Sequence, residues 1–197
     1  MGAGEEDDKM KILSIDPGLR NTGFAVLEKK ENRDSIKALT FGVIKSPAKL
    51  NQSSCLVNIN DELNGIIKVY KPDVCAVEAV IYVQSYKTAI TLGAARGAAI
   101  IAAASKGIPI FEYAPKRVKQ AVVGKGAAKK EQVAFMIRAL LSLEETPQSD
   151  AADALAVGLA HLYTSKESLQ HSTNAVSYTH LRAHETVLDL VCRLLLE

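Results

Sequence analysis

KILSIDPGLRNTGFAVLEKK, residues 11–30, sets the frame from which the rest of the chain is read. Residues 11–15 form a β-type run, and Asp16-Pro17-Gly18 ends it, because proline removes a backbone donor and glycine favours a turn. Asp16 is thereby presented at a strand end. After Asn21-Thr22-Gly23, FAVLEKK (24–30) and IKALTFGVIK (36–45) make two further β-type runs separated by a polar turn over 31–35. The three predict an antiparallel meander.

Further along, Leu56, Ile59, Leu63, Ile66, Ile67 and Tyr70 recur at three and four, the spacing of an amphipathic helix, and Lys71-Pro72-Asp73 stops it. Residues 74–77 form a buried-type strand running into Glu78, and this helix-then-strand order suits an α/β sheet with parallel additions. Residues 88–106 predict an alanine-rich helix, apolar on nearly all sides, with Gly93 and Gly97 allowing close approach. Such a helix needs more cover than its own sheet, from a second copy of the chain or from a third layer within it. A short strand over 108–112, a basic segment, a glycine turn at Gly124 and Gly126, and helices over 129–141 and 149–163 complete the pattern.

The 197 residues are 48% hydrophobic and 23% charged, enough for one cored domain of roughly 150 residues plus extensions. Collagen-like, disordered and mini-protein classes are excluded. Cys55, Cys75 and Cys192 are odd in number and far apart, which encodes neither a disulfide framework nor a CxxC zinc site and points to a reducing, cytoplasmic setting. The acidic start, MGAGEEDDKMKIL, is the opposite of a signal peptide's basic flank. Residues 89–104 contain Arg96 and fall short of the roughly 20 apolar residues that cross a bilayer, so no membrane association is expected. We read residues 1–9 as an extension, 10–166 as the domain and 167–197 as a tail outside it.

Net charge is only +2, but Lys116, Arg117, Lys119, Lys125, Lys129 and Lys130 follow one another with no acidic residue between 113 and 130. That run suits phosphate contact, and equally a solvated face. VVGKGAAKK is no Walker A loop and GLRNTG is no GxGxxG, which removes P-loop ATPases and Rossmann dehydrogenases. His180, His184 and Glu185 spell HxxxHE rather than HExxH, and they fall in the tail.

Four carboxylates stand apart from surface charge. Asp16 and Glu78 each end a hydrophobic strand, while Asp150 and Asp153 open the last helix one turn apart, facing the same direction. Taken singly, Asp16 reads as a turn residue and Asp150 as a helix cap. Taken together, hard oxygen donors gathered at sheet ends favour magnesium or manganese over zinc and outline a two-metal site.

IDPGLRNTGFAV, VCAVEAVI, LGAARGAAIIAA, PIFEYAPKRVKQAVVGKGAAKKEQV and SDAADALAVGLAH, in that order, resemble the RuvC family of Holliday-junction resolvases over about residues 10–163. The resemblance implies an RNase H-like α/β fold, a mixed five-stranded sheet flanked by helices, working as a homodimer. It implies an endonuclease that nicks two opposed strands of a four-way DNA junction in recombination and repair, leaving 5′-phosphate and 3′-hydroxyl ends. Two Mg2+ ions, replaceable by Mn2+, would be held by Asp16, Glu78, Asp150 and Asp153, with Asp16 bridging. Lys119 and Lys130 match the family's lysines near phosphate, and Arg117 and Lys125 stand as backbone contacts. An aromatic that stacks on unpaired bases belongs three residues after Glu78; this chain has Ile81 there and Tyr82 next, leaving that role to one of the two. RuvA and RuvB, the branch-migration proteins, are implied as partners.

Two rivals remain in view. An actin-like or sugar-kinase ATPase shares the sheet and a DxG-type phosphate turn but needs two such domains. A noncatalytic module that binds structured nucleic acid would have no use for four acids, and neutralising Asp16 would leave its activity whole.

Overall fold

The computed structural model describes residues 9–30, 35–80 and 85–170. It divides into a unit spanning Met1–Ser165 and a second spanning Lys166–Glu197. The first unit carries the sheet. Its strands are β1 (Lys9–Asp16), β2 (Asn21–Lys30), β3 (Ile36–Lys45), β4 (Val74–Glu78) and β5 (Ile110–Tyr113). They lie in the order β3-β2-β1-β4-β5, antiparallel across β1–β2–β3 and parallel across β1–β4–β5, which is the expected meander with parallel additions.

Alternation along β1 serves both sheet faces, since successive side chains point to opposite sides. Leu13 and Ile15 pack with Val26, Cys75 and Val77 against α1 (Gln52–Tyr70) and α2 (Tyr86–Ala104). Ile12 packs with Ala25, Leu27 and Ala76 against α3 (Pro115–Val123), α4 (Lys130–Leu140) and α5 (Ser149–Gln170). Burial on both faces explains why β1 and β4 read as continuous apolar runs.

The register that matters most is set at the far end of the sheet. The Asp73 carboxylate accepts from the Lys11 backbone N–H at 2.7 Å, and the Asp73 N–H donates to the Lys11 carbonyl at 2.9 Å. Pairing then runs from Ile12 with Val74 to Ile15 with Val77. Asp16 and Glu78 are the next residues on each strand.

Several boundaries differ from the sequence reading. The basic segment contains a helix, α3, with Pro115 at its first turn, Val118 and Val122 buried one turn apart, and Gly124 closing it at φ 78°. Strand β5 begins at Ile110 and reaches Tyr113 rather than spanning 108–112, and α5 runs on to Gln170. On α2, Ala95, Ala99, Ala102 and Ala103 face the core, while Tyr86 (92% exposed), Ile90 (69%) and Ile101 (61%) form an apolar stripe on another side. Among the described residues nothing covers that stripe.

Leu155 on α5 is fully buried, whereas Val69 on α1 is 71% exposed. In urea unfolding, Leu155→Ala is expected to cost roughly 2–5 kcal/mol and Val69→Ala to stay within about 0.5 kcal/mol. Equal effects would contradict the placement of the core.

Candidate active site

Strand pairing puts Asp16 and Glu78 side by side at the carboxyl ends of β1 and β4. Their carboxyl groups act directly on one another, so the charged forms of both are disfavoured together. Burial raises both groups above the ordinary carboxylate range, Asp16 to about 6 and Glu78 to about 8. Charge adds to burial. Asp153 and Asp150 push Asp16 up, Asp16 and Asp153 push Glu78 up, and Lys130 opposes the rise at both.

The other half of the site arrives on two helices. Asp150 and Asp153 sit in the first turns of α5, half-buried. Lys130, the first residue of α4, donates from Nζ to Asp153 Oδ2 at 3.1 Å, and this hydrogen bond holds its ammonium above the usual lysine range. All four acidic candidates and Lys130 therefore interact at one end of the sheet.

The remaining basic candidates are nearby in topology but not in contact. Strand β5 pairs Tyr113 with Glu78, and α3 departs two residues later carrying Arg117 and Lys119. Lys125 lies in the turn between α3 and α4. Among the described residues Arg117, Lys119 and Lys125 form no hydrogen bond or ion pair with the four carboxylates. Ile81 and Tyr82 lie outside the described residues, as do His180, His184 and Glu185.

Supporting residues emerge that sequence patterns did not single out. Thr22, fully buried, donates to the Gly18 carbonyl at 2.6 Å and braces the turn behind Asp16. Arg20 donates to the Pro47 and Leu50 carbonyls at 2.7 and 3.0 Å, fastening that turn to the loop before α1. The Tyr113 hydroxyl bonds His161 Nδ1 at 2.8 Å, tying β5 to α5, and burial lowers the His161 pKa. The signals were faint: an arginine in a turn, and a histidine on a helix already read as apolar.

Among the described residues no three acidic, histidine or cysteine side chains close into a ready-made metal cage. The donor chemistry nonetheless fits a divalent ion. Two half-buried carboxyls at adjacent strand ends are both pushed above the ordinary carboxylate range by burial and by neighbouring acids, which a cation would relieve, and every acidic donor is a hard oxygen.

Comparison with known proteins follows the same geometry. The family model described as crossover junction endodeoxyribonuclease RuvC matches residues 12–161. A crossover junction endodeoxyribonuclease RuvC from Akkermansia muciniphila is 54% identical over 162 residues, covering 82% of this chain and 96% of that protein. One from Syntrophomonas wolfei is 46% identical over 156 residues, covering 79% and 90%. Among solved structures, Thermus thermophilus RuvC in complex with Holliday junction substrate superposes with a TM-score of 0.75 at 32% identity, over 80% of this chain and 96% of that one. The yeast mitochondrial Holliday junction resolvase, at TM-score 0.57 and 14% identity over 82% of each chain, shares the fold. The mixed five-stranded sheet is thus the RNase H-like one of these resolvases.

A pH dependence follows from the paired carboxyls. Ordinary values are 3.8 for Asp16 and 4.5 for Glu78, so between those and about 6 and 8 the folded protein holds protons that the unfolded chain has released. The stability these groups contribute is complete below the lower values and is lost as pH rises through the upper ones. Glu78→Gln, which cannot ionise, should therefore match the parent in metal-free melting temperature near about pH 4 and exceed it near about pH 9. Magnesium should stabilise the parent most at the higher pH, where it no longer competes with protons, and the variant least. A variant no more stable than its parent at the higher pH contradicts the pairing.

Proposed function

Because the chain belongs to the RuvC family of crossover junction endodeoxyribonucleases, we propose that it resolves four-way (Holliday) DNA junctions by paired symmetric nicks in recombination and repair. The observation that carries this reading is the meeting of Asp16 and Glu78 at adjacent strand ends, with Asp150, Asp153 and Lys130 acting on the same pair.

Asp16, Glu78, Asp150 and Asp153 are the residues that would hold divalent metal, two Mg2+ ions per site with Mn2+ able to substitute. The chemistry such ions would supply is positive charge for activating a water and for stabilising the leaving 3′ oxygen. The chain's own residues do the rest. Lys130 neutralises part of the carboxylate charge before substrate arrives, since it already bonds Asp153. With DNA present, Lys130 and Lys119 face the scissile phosphate and offset charge developing on its oxygens. Arg117 and Lys125, on α3 and the turn after it, hold the flanking backbone, an interaction that weakens with salt. Ile81 or Tyr82 meets the unpaired bases at the junction centre.

Two opposed nicks require two sites. The apolar stripe of Tyr86, Ile90 and Ile101 along α2 supports a homodimer in which α2 meets its twin, and the two-fold axis would then match that of the junction. RuvA and RuvB are the partners the family relationship suggests, and action on chromosomal DNA places the work in the cytoplasm. Among the described residues no helix is long and apolar enough to cross a membrane.

A synthetic four-way junction incubated with Mg2+, beside a linear duplex of the same sequence, tests the reading. Paired symmetric nicks are expected in the junction alone, and Asp16→Asn should bind the junction while losing on the order of 10²-fold or more in rate. Junction binding without metal-dependent cutting would make the protein a binding module instead. Lys119→Ala should slow single-turnover cleavage by at least about tenfold with junction affinity changed far less; equal losses in both would reduce Lys119 to a simple phosphate contact.

A further inference from the structure

We propose that Gly23 is a positioning residue for the reaction: it carries no side chain opposite Asp16, which seats the first turn of α5 on the sheet and sets the separation of Asp16 and Glu78 from Asp150 and Asp153. The inference rests on the nuclease reading above and adds a residue to it.

The β1–β2 register pairs Gly23 with Asp16. A side-chain carbon built on Gly23 would stand 2.6 Å from the Asp150 carbonyl carbon and closer still to its oxygen, with the Ala151 nitrogen at 3.4 Å. These are backbone atoms and cannot rotate away. Real side-chain carbons essentially never approach other atoms within 3.0 Å, so the helix start or the strand would have to move.

The strand is the better fixed of the two. Behind Asp16, Thr22 bonds the Gly18 carbonyl and Arg20 bonds two carbonyls of the loop before α1, while β2 is paired along both edges. The start of α5 would yield, carrying Asp150 and Asp153 outward. Gly158 offers the contrast within the same helix. A carbon there meets Leu27 Cδ1 at 2.7 Å, Ser14 Oγ at 2.8 Å and Ser14 Cβ at 3.2 Å, side-chain atoms of the core rather than backbone of the site, and it lies eight residues, roughly 12 Å, beyond Asp150. Gly23 bears on the site, whereas Gly158 bears on the packing of α5.

Separation matters because small divalent ions accept oxygen donors only over a narrow range of distance. A displacement of about 1 Å in a reacting group is enough to cost on the order of 10²-fold in rate.

The test uses full-length Gly23→Ala, Asp150→Glu, their combination and Gly158→Ala. Mn2+ binding to the DNA-free protein is read by calorimetry, and junction affinity and single-turnover cleavage are read separately. Gly23→Ala should keep junction affinity within about twofold, bind Mn2+ about tenfold more weakly and cut on the order of 10²-fold more slowly. Gly158→Ala should lose stability but keep Mn2+ affinity and rate. Asp150→Glu, one methylene longer, should slow the parent by about tenfold and restore part of the rate in the Gly23→Ala background. A folded Gly23→Ala protein with the parent's Mn2+ affinity and rate overturns the proposal, as does an equal loss in Gly158→Ala. If Gly23→Ala yields no folded protein while Gly158→Ala does, Gly23 is a folding residue rather than a positioning one and the proposal is overturned. If the parent cuts no junction, the nuclease reading fails, and the Mn2+ titrations still separate Gly23→Ala from Gly158→Ala.

Discussion

Two half-buried carboxyl groups side by side at the ends of neighbouring parallel strands repel one another when both are charged, unless a cation stands between them. Asp16 and Glu78 are held in that position by β1–β4 pairing, which the reciprocal Lys11–Asp73 hydrogen bonds register at the opposite end. The apolar residues just before them, Ile15 and Val77, are fully buried, so neither strand end can swing out to solvent to relieve the repulsion. Holding on to protons is one answer to that repulsion, and on the proposed reading a divalent ion is the other. The site's electrostatics are thus a consequence of sheet topology.

The helices on one face of the sheet complete this arrangement. Helix α5 brings Asp150 and Asp153 to the same edge, its first turn lying against Gly23, while α4 begins at Lys130 and returns one positive charge through Asp153. Tyr113 and His161 link the parallel edge strand to α5 further along. On the proposed reading, α3 and the turn after it add cations for the DNA backbone, and α2 on the opposite face supplies the apolar stripe for a second copy. Acid chemistry, phosphate contact and self-association then occupy separate parts of one small scaffold.

Much of this was legible in the chain. KILSI ended by Asp16-Pro17-Gly18, and VCAV ended by Glu78, place two acids at strand ends from local patterning alone, and the three-residue spacing of Asp150 and Asp153 gives them one helix face. Their convergence was not legible without the family resemblance, because it depends on contacts between residues far apart in sequence, of which Gly23 against Asp150 is the clearest. Glycine in a turn-like Asn-Thr-Gly context signals a bend and hides a close approach. Helix α3 is masked in the sequence for a different reason. Its charge dominates the pattern, although Pro115 at the start, Val118 and Val122 one turn apart, and Gly124 at the end are ordinary helix signals.

On the proposed reading, the end of β1 and β4, together with the start of α5, is a divalent-metal site facing a scissile phosphate. Anomalous diffraction from Mn2+ in crystals of the protein bound to an uncut four-way junction would locate it. Manganese is expected between the Asp16 and Glu78 carboxylates, with Asp150 or Asp153 completing the shell and a junction phosphate adjacent. Manganese bound elsewhere, or junction DNA seated away from these strand ends, would contradict it.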